Sequence, residues 1–345
     1  MEKIKELKKI FKKNGVDGYI IPKNDEYFNE YIPKHNDRLN FISNFSGSYG
    51  FALILKGKNY LFVDGRYTLQ ANNQCGKHFK IITIPGKMPS DILKEKSISI
   101  GFDPSLFTQK SLSIFFGKTK CIYKPLFINL IDEIWKRKIV KNKNKFYSLP
   151  NSAVSEKHQS KINKISKYLK KKKSDFLFVT ASENNAWLLN IRGRDTKYTP
   201  IPHSYILIDK DLNIKFFCDL KKISSSFKRN FKRIKFLDIK VCTETLLKIK
   251  KKKFIIDSSS CSFFLKTIID KNNTILNLQD PIYFFKAIKG KQEIENIKKA
   301  HIYDGVALTK YLFWLKKNFY RKNITEITAS QKLLKFRKKN KKFKF

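Results

Sequence analysis

Hydrophobic positions along this chain change period several times, and each change marks an element. "MEKIKELKKIFKKNG" places Ile4, Leu7, Ile10 and Phe11 on one face of a helix that Asn14-Gly15 ends. "VDGYIIP" follows as a short apolar run of the kind that fills a buried strand. "LNFISNFSGSYGFALILKGKNYLFVDGRY" reads as two strands joined by a Gly-Lys-Asn turn. A helix and the strand "HFKIITI" come next. "SISIGFDPSLFTQKSLSIFF" then gives a strand, a turn at Asp103-Pro104 and a helix, and "NLIDEIWKRK" closes the half.

The second half repeats this order. A Lys-rich helix, "SKINKISKYLKKKK", leads into "SDFLFVTAS". "AWLLNIRGRD" and "SYILIDKDLNIKFFCD" supply strands with a turn and a closing Asp. "KKKFIIDSSSCSFFLKTII" is a strand, an Asp-Ser turn and a helix, and "LQDPIYFFKAIK" closes it. Asp64 and Asp219, Gly47 and Gly193, and Asp103 and Asp257 hold corresponding places. Strands alternating with helices predict an open α/β sheet covered by helices, built twice. The polar stretch "KNKNKFYSLPNS" at 141–152 is the expected boundary.

From Phe285 the pattern predicts one long amphipathic helix, with Ile294, Ile297, His301, Leu308, Leu312 and Leu315 at three- and four-residue steps. A second helix begins at Thr325, a capping residue preceded by Ile324, and carries Leu333, Leu334 and Phe336. This pair belongs to neither repeat and reads as the opening of a third domain.

Charge changes the picture less than its size suggests. The formal net charge is +44 over 345 residues, yet only nine of the 73 basic residues are Arg. Lysine is spread through the chain beside Ile, Asn, Phe and Tyr, a bias that A/T-rich codons produce in any protein. A dedicated nucleic-acid surface favours Arg and concentrates it. The charge therefore implies non-specific polyanion binding at most. No apolar run reaches the roughly 20 residues that span a bilayer. The start has neither the apolar core of a secretory signal nor the Arg-rich, acid-poor character of a presequence. Cys75, Cys121, Cys218, Cys242 and Cys261 show no metal-binding spacing and fit reduced thiols in a cytoplasm.

Local candidates for chemistry are few. His301 and Asp304 share a helix face, but two ligands are too few for a metal; a packed His beside a hydrogen-bond partner is the expectation. "GSYG" at 47–50 lacks dinucleotide-binding spacing and reads as a turn between strands. "DGRY" at 64–67 brings Asp64 and Arg66 together ahead of a helix near Thr68. "RGRD" at 192–195 orders the loop before Pro200, with Arg and Asp pairing across a turn. Ser and Cys candidates have no His–acid partner, so covalent catalysis is without support.

The blocks "DGYIIP", "NFSGSYGFALI", "VDGRYTLQA", "ENNAWLLNIRGRD", "TPIPHSYILI", "KAIKGKQEIENIKKAHIYDGVAL" and "TEITA" occur in an order and at a spacing that resembles the three-domain Xaa-Pro aminopeptidases of the creatinase and prolidase superfamily. The resemblance implies two tandem creatinase-N-like domains, each a mixed sheet flanked by helices, at 1–150 and 151–283. It implies that 284–345 are the first helices of an incomplete pita-bread domain. Family members remove the residue before a proline in second position, using a dinuclear centre, commonly manganese, that activates a bridging hydroxide. The ligands implied are two Asp, one His and two Glu, and none of them is placed in this sequence. The expectation is thus a chain with no catalytic, cofactor-binding or metal residues, inactive alone, cytoplasmic and without a membrane partner. Peptides with proline second are the substrates implied for the complete enzyme, and a homo-oligomer is the candidate assembly. The alternative readings are a non-catalytic oligomerisation or interaction module and, behind it, a polyanion-binding protein. The ending "KKNKKFKF" is expected to be a break, with the missing ligands encoded downstream.

Overall fold

The computed structural model describes residues 2–139, 142–320 and 323–344. Its first half holds strands β1 (Gly18–Pro22), β2 (Phe51–Leu55), β3 (Asn59–Asp64), β4 (Lys80–Ile84), β5 (Ser99–Phe102) and β6 (Ile122–Pro125). They form one sheet in the order β4-β3-β2-β1-β5-β6. Only β2 runs against its neighbours.

The sheet is covered on both faces, which explains why its central strands read as continuous apolar runs. Successive residues go to opposite cores. Tyr19, Ile21, Ala52, Ile54, Leu61 and Val63 pack with Ile4, Leu7 and Phe11 of the N-terminal segment. Ile20, Leu53, Tyr60 and Phe62 pack with Phe102, Phe107 and Phe116 on the other side. The period-2 geometry of a strand imposes this split. The first helix is shorter than the pattern predicts, Glu2–Lys9. Beyond it the chain continues in turns: the Asn14 side chain donates to Ile10 O, and Gly15 takes a left-handed φ of 62°.

The second half begins with β7 (Tyr147–Ser148) and continues with β8 (Phe176–Val179), β9 (Ile191–Arg192), β10 (Tyr205–Asp209), β11 (Ile214–Cys218), β12 (Ile234–Asp238), β13 (Lys253–Ile256) and β14 (Thr274–Asn277). β7 and β9 pair as a small antiparallel ribbon. The others form a sheet ordered β12-β11-β10-β8-β13-β14, with β10 alone antiparallel. Strand for strand, this is the order and sense of the first sheet.

The repeat extends to the loops. Asp64 and Asp219 each follow the third long strand of their sheet and accept from the backbone N–H two residues on, starting a 3-10 turn. Asp103 and Asp257 do the same after β5 and β13, accepting from Ser105 N and Ser259 N. Gly47 and Gly193 each lie three residues beyond a left-handed Asn, Asn44 or Asn190, that ends a helix. Those helices are Arg38–Ser43 and Ser182–Leu189, and the second corrects the reading of "AWLLN" as strand. A short apolar run has no decisive period, and the αL Asn that stops it is a helix C-cap. "GSYG" accordingly joins a helix to β2 and does not link two strands.

The C-terminal elements are helices Pro281–Ala287, Lys291–Asn318 and Glu326–Lys338. The long helix expected from Phe285 is interrupted at Ile288–Gly290 and starts at Lys291. Gly290 N donates to the Glu293 carboxylate, and Glu293 N donates to Ser155 Oγ, so the new helix start is tied to the second domain. A Cβ at Gly290 would lie 2.3 Å from Ser155 Cβ, so only glycine fits.

Candidate functional site

In an open α/β sheet the carboxyl ends of the parallel strands, beside the strand where the order reverses, are where loops gather chemistry. Here those ends face each other across the junction of the two halves. The loops after β5 and β13 touch directly: Phe263 N donates to Phe107 O at 2.7 Å and Phe264 N to Pro104 O at 2.9 Å. Thr108 and Ser262, equivalent N-caps of equivalent helices, form an antiparallel bridge with one another. Contact of a residue with its own counterpart marks a local two-fold relation between the halves. The insertion is reciprocal. Phe263 packs into the first domain's core against Phe102, and Tyr27 packs into the second domain's core beside Tyr205.

Polar groups complete the junction. Asp25, fully buried, accepts from Tyr27 N and Asn29 N through Oδ1 and from Asn29 Nδ2 through Oδ2. Asn29 Nδ2 also lies 2.8 Å from His203 Nε2, and Asn29 Oδ1 accepts from Thr196 Oγ1 at 3.2 Å. The His203 ring stacks on Tyr27 at 4.2 Å and 14°. Asp195 accepts from His203 N at 2.8 Å and forms a buried ion pair with Lys222. Tyr205 OH donates to Glu26 O, while the Glu26 carboxylate and Asp132 both receive the buried Arg38 guanidinium. Burial alone would lower the affinity of Arg38 for its proton, but these carboxylates outweigh it and hold it charged.

Of the motifs noted in the sequence, "RGRD" enters this junction through Asp195. In the "DGRY" block, Asp64 and Arg66 pair at 2.7 Å, and the guanidinium holds the Asp64 carboxyl below its usual range. The helix that follows begins at Thr68, as the sequence predicts. The "GSYG" loop lies against this block through a Ser48–Tyr67 hydroxyl contact of 2.7 Å. In "RGRD" the expected Arg–Asp pairing gives way to Asp195–Lys222, because Lys222 reaches into the buried side of the loop. Arg192 turns instead to the carbonyls of Ala186 and Ile191. Gly193 backs onto Pro202, whose Cα would stand 2.8 Å from a Cβ there.

His301 and Asp304 do not form the packed pair expected. His301 is exposed, and Asp304 accepts two bonds from Arg337 of the last helix, at 2.6 and 3.0 Å. The Asp304–Arg337 pair thus joins the last two helices. Among the described residues no group of three or more His, Cys, Asp or Glu side chains is placed to hold a metal ion. The buried thiols offer no nucleophile: burial pushes Cys75 up to about 11 and Cys242 and Cys261 up to about 12. Among the described residues no helix is long and apolar enough to cross a membrane.

The junction residues Asp25, Asn29, His203, Thr196 and Lys222 were not legible as a set. "TPIPHSY" and "RGRD" stand out as blocks, but the partners of His203 and Asp195 come from loops far away in sequence.

Comparison with known proteins places these features. Residues 3–115 and 137–293 each match a family model described as a creatinase/prolidase N-terminal domain. A probable Xaa-Pro aminopeptidase P of Laccaria bicolor is 29% identical over 97% of this chain and 55% of its own length. That of Paracoccidioides lutzii is 31% identical over 98% of the chain and 59% of its own length. The chain thus spans somewhat more than half the length of the curated relatives it matches. The X-prolyl aminopeptidase of Caenorhabditis elegans, described as a cytosolic enzyme with a di-nuclear active site, has the same fold over 99% of this chain and 60% of its own, with a TM-score of 0.88 at 24% identity. With two creatinase N-terminal domains and relatives matched along nearly its whole length, the chain belongs to the Xaa-Pro aminopeptidase family.

Proposed function

We propose that residues 1–283 are the two-domain platform of an Xaa-Pro aminopeptidase, divided at 1–150 and 151–283. In this reading 284–345 hold the opening helices of a pita-bread peptidase domain. The platform holds that domain in place; it does not itself catalyse. Peptides with proline second are the substrates of the assembled enzyme, and a dinuclear metal centre supplies its activated water. The residues present here do not fit that centre, since Asp304 on the long helix is already engaged by Arg337 and no group of three or more His, Cys, Asp or Glu side chains that could hold a metal lies among the described residues. The cellular compartment proposed is the cytoplasm, in keeping with five unpaired cysteines. Self-association through the exposed apolar face of the last helices, and weak contact with polyanions through a net charge of +44, are the partners this surface supports.

One observation carries the reading. Similarity to the relatives runs in order along almost the entire chain, while the described residues converge only on a junction between domains. The test is to incubate the purified 345-residue chain with Mn²⁺ and Xaa-Pro peptides. Neither release of the first residue nor tight Mn²⁺ uptake is expected. Metal-dependent release by a contaminant-free preparation overturns the proposal.

A further inference from the structure

The amide of Asn29 is oriented by charge. Its Nδ2 lies 2.8 Å from the Asp25 carboxylate and 2.8 Å from His203 Nε2, and its Oδ1 takes the Thr196 hydroxyl. Turning the amide over would set its oxygen against the buried carboxylate and leave Thr196 facing an N–H. With Nδ2 as donor, the acceptor role falls to His203 Nε2, which also lies 3.3 Å from Thr196 Oγ1, and this assigns the imidazole the neutral form with its proton on Nδ1. A proton on Nε2 would set its N–H against the Asn29 N–H across the contact that joins the first domain to the second.

We propose that Asn29 and His203 form a proton-released clasp: the two domains dock through a neutral His203, and protonation of that ring loosens their junction without unfolding either sheet. The proposal rests on the junction geometry and does not depend on the peptidase reading.

The charges around the ring set the balance. Asp25 and Glu26 on the loop after β1 and Asp195 ahead of β10 favour the imidazolium, and Lys222 beyond β11 opposes it. Tyr27 on the ring face and Tyr205 beside it are held protonated by burial. Burial of the ring is the largest influence and lowers His203 below its ordinary 6.5. A group whose folded pKa is depressed in this way binds fewer protons docked than released. Its contribution to docking is therefore complete above about pH 6.5 and is lost as pH falls from there towards the docked-state value. Over that window the docking constant falls by up to about tenfold per pH unit. Asp280, which burial pushes up to about 6, titrates in the same range with the opposite sign, so the difference between proteins is the informative quantity.

The experiment follows hydrogen exchange and histidine resonances of the 345-residue chain from pH 7.5 to 5.0, for wild type and His203→Gln. Glutamine offers a neutral acceptor to Asn29 at every pH. In wild type, after correction for intrinsic exchange, the amides of 25–29 and 195–205 are expected to lose protection several-fold below pH 6.5 while β1, β2, β8 and β11 keep theirs. In His203→Gln that selective loss is absent. Equal loss in both proteins overturns the clasp. So does a wild-type His203 resonance titrating at 6.5 or above, a readout that stands even if the variant fails to fold.

Discussion

The junction between the two sheets and the outer face of the last two helices treat their side chains in opposite ways. At the junction, charged and amide groups are buried: Asp25 is 0% exposed, and Asp195 and Lys222 are 9% and 8% exposed. On the helices, large apolar groups stand in the open, with Ile302 65%, Phe313 62% and Ile327 70% exposed, and in the 28-residue helix only Ala307 is buried. Residue type alone would have sorted these the other way. Partners make the difference. A buried polar group is tolerable when each of its atoms is matched, and an apolar helix face is buried only where another layer covers it.

The comparison breaks most readily at the buried ion pair. Lys222→Met leaves the Asp195 carboxylate enclosed without its cation, and a loss of about 3–5 kcal/mol in urea unfolding is expected. Replacing Asp195 by Leu as well should recover much of that loss, because the desolvated charge then disappears with its partner. A cost under about 1 kcal/mol for the single variant would show that water reaches the Asp195–Lys222 pair.

Shape comes next. Phe263→Ala withdraws a half-buried ring from the first domain's core, and about 2 kcal/mol of destabilisation is expected, with earlier proteolysis between the domains. If the melting temperature holds while the domains separate, docking and folding are uncoupled and the clasp has room to act.

The helix pair should respond least. Arg337→Ala removes a two-bonded but solvent-washed pair with Asp304, whose side chains are 39% and 47% exposed, so a change within about 1 kcal/mol is expected. Phe313→Lys on the open face should leave stability within about 0.5 kcal/mol of wild type. It should also reduce self-association in sedimentation at high concentration. A larger loss of stability would mean that the face is covered.

Much of the fold was legible. The strands "GYIIP", "FALIL" and "NYLFV" announce themselves because both of their faces are buried, and the repeat shows in the aspartates that close corresponding strands. Helix stops read less well. The long C-terminal pattern hides the break at Gly290, since the apolar spacing continues across it and only Ser155, far away in sequence, explains why a glycine stands there. Asp195 was seen to need a partner, but local charge pointed to the neighbouring arginines and not to Lys222.

What the sequence by itself determined was therefore local and periodic: which segments become strands or helices, that the plan occurs twice, and which family's blocks the chain carries. Those properties depend on steric preference and on the 2.0 and 3.6 residue periods, which neighbouring residues fully specify. Tertiary structure alone decided that the two sheets meet at their carboxyl ends, that Thr108 finds Ser262, and that Asn29 meets His203. Such contacts join residues 154 and 174 positions apart. Their energies come from excluding water around matched donors and acceptors, and no stretch of chain contains that match until both domains have folded and docked.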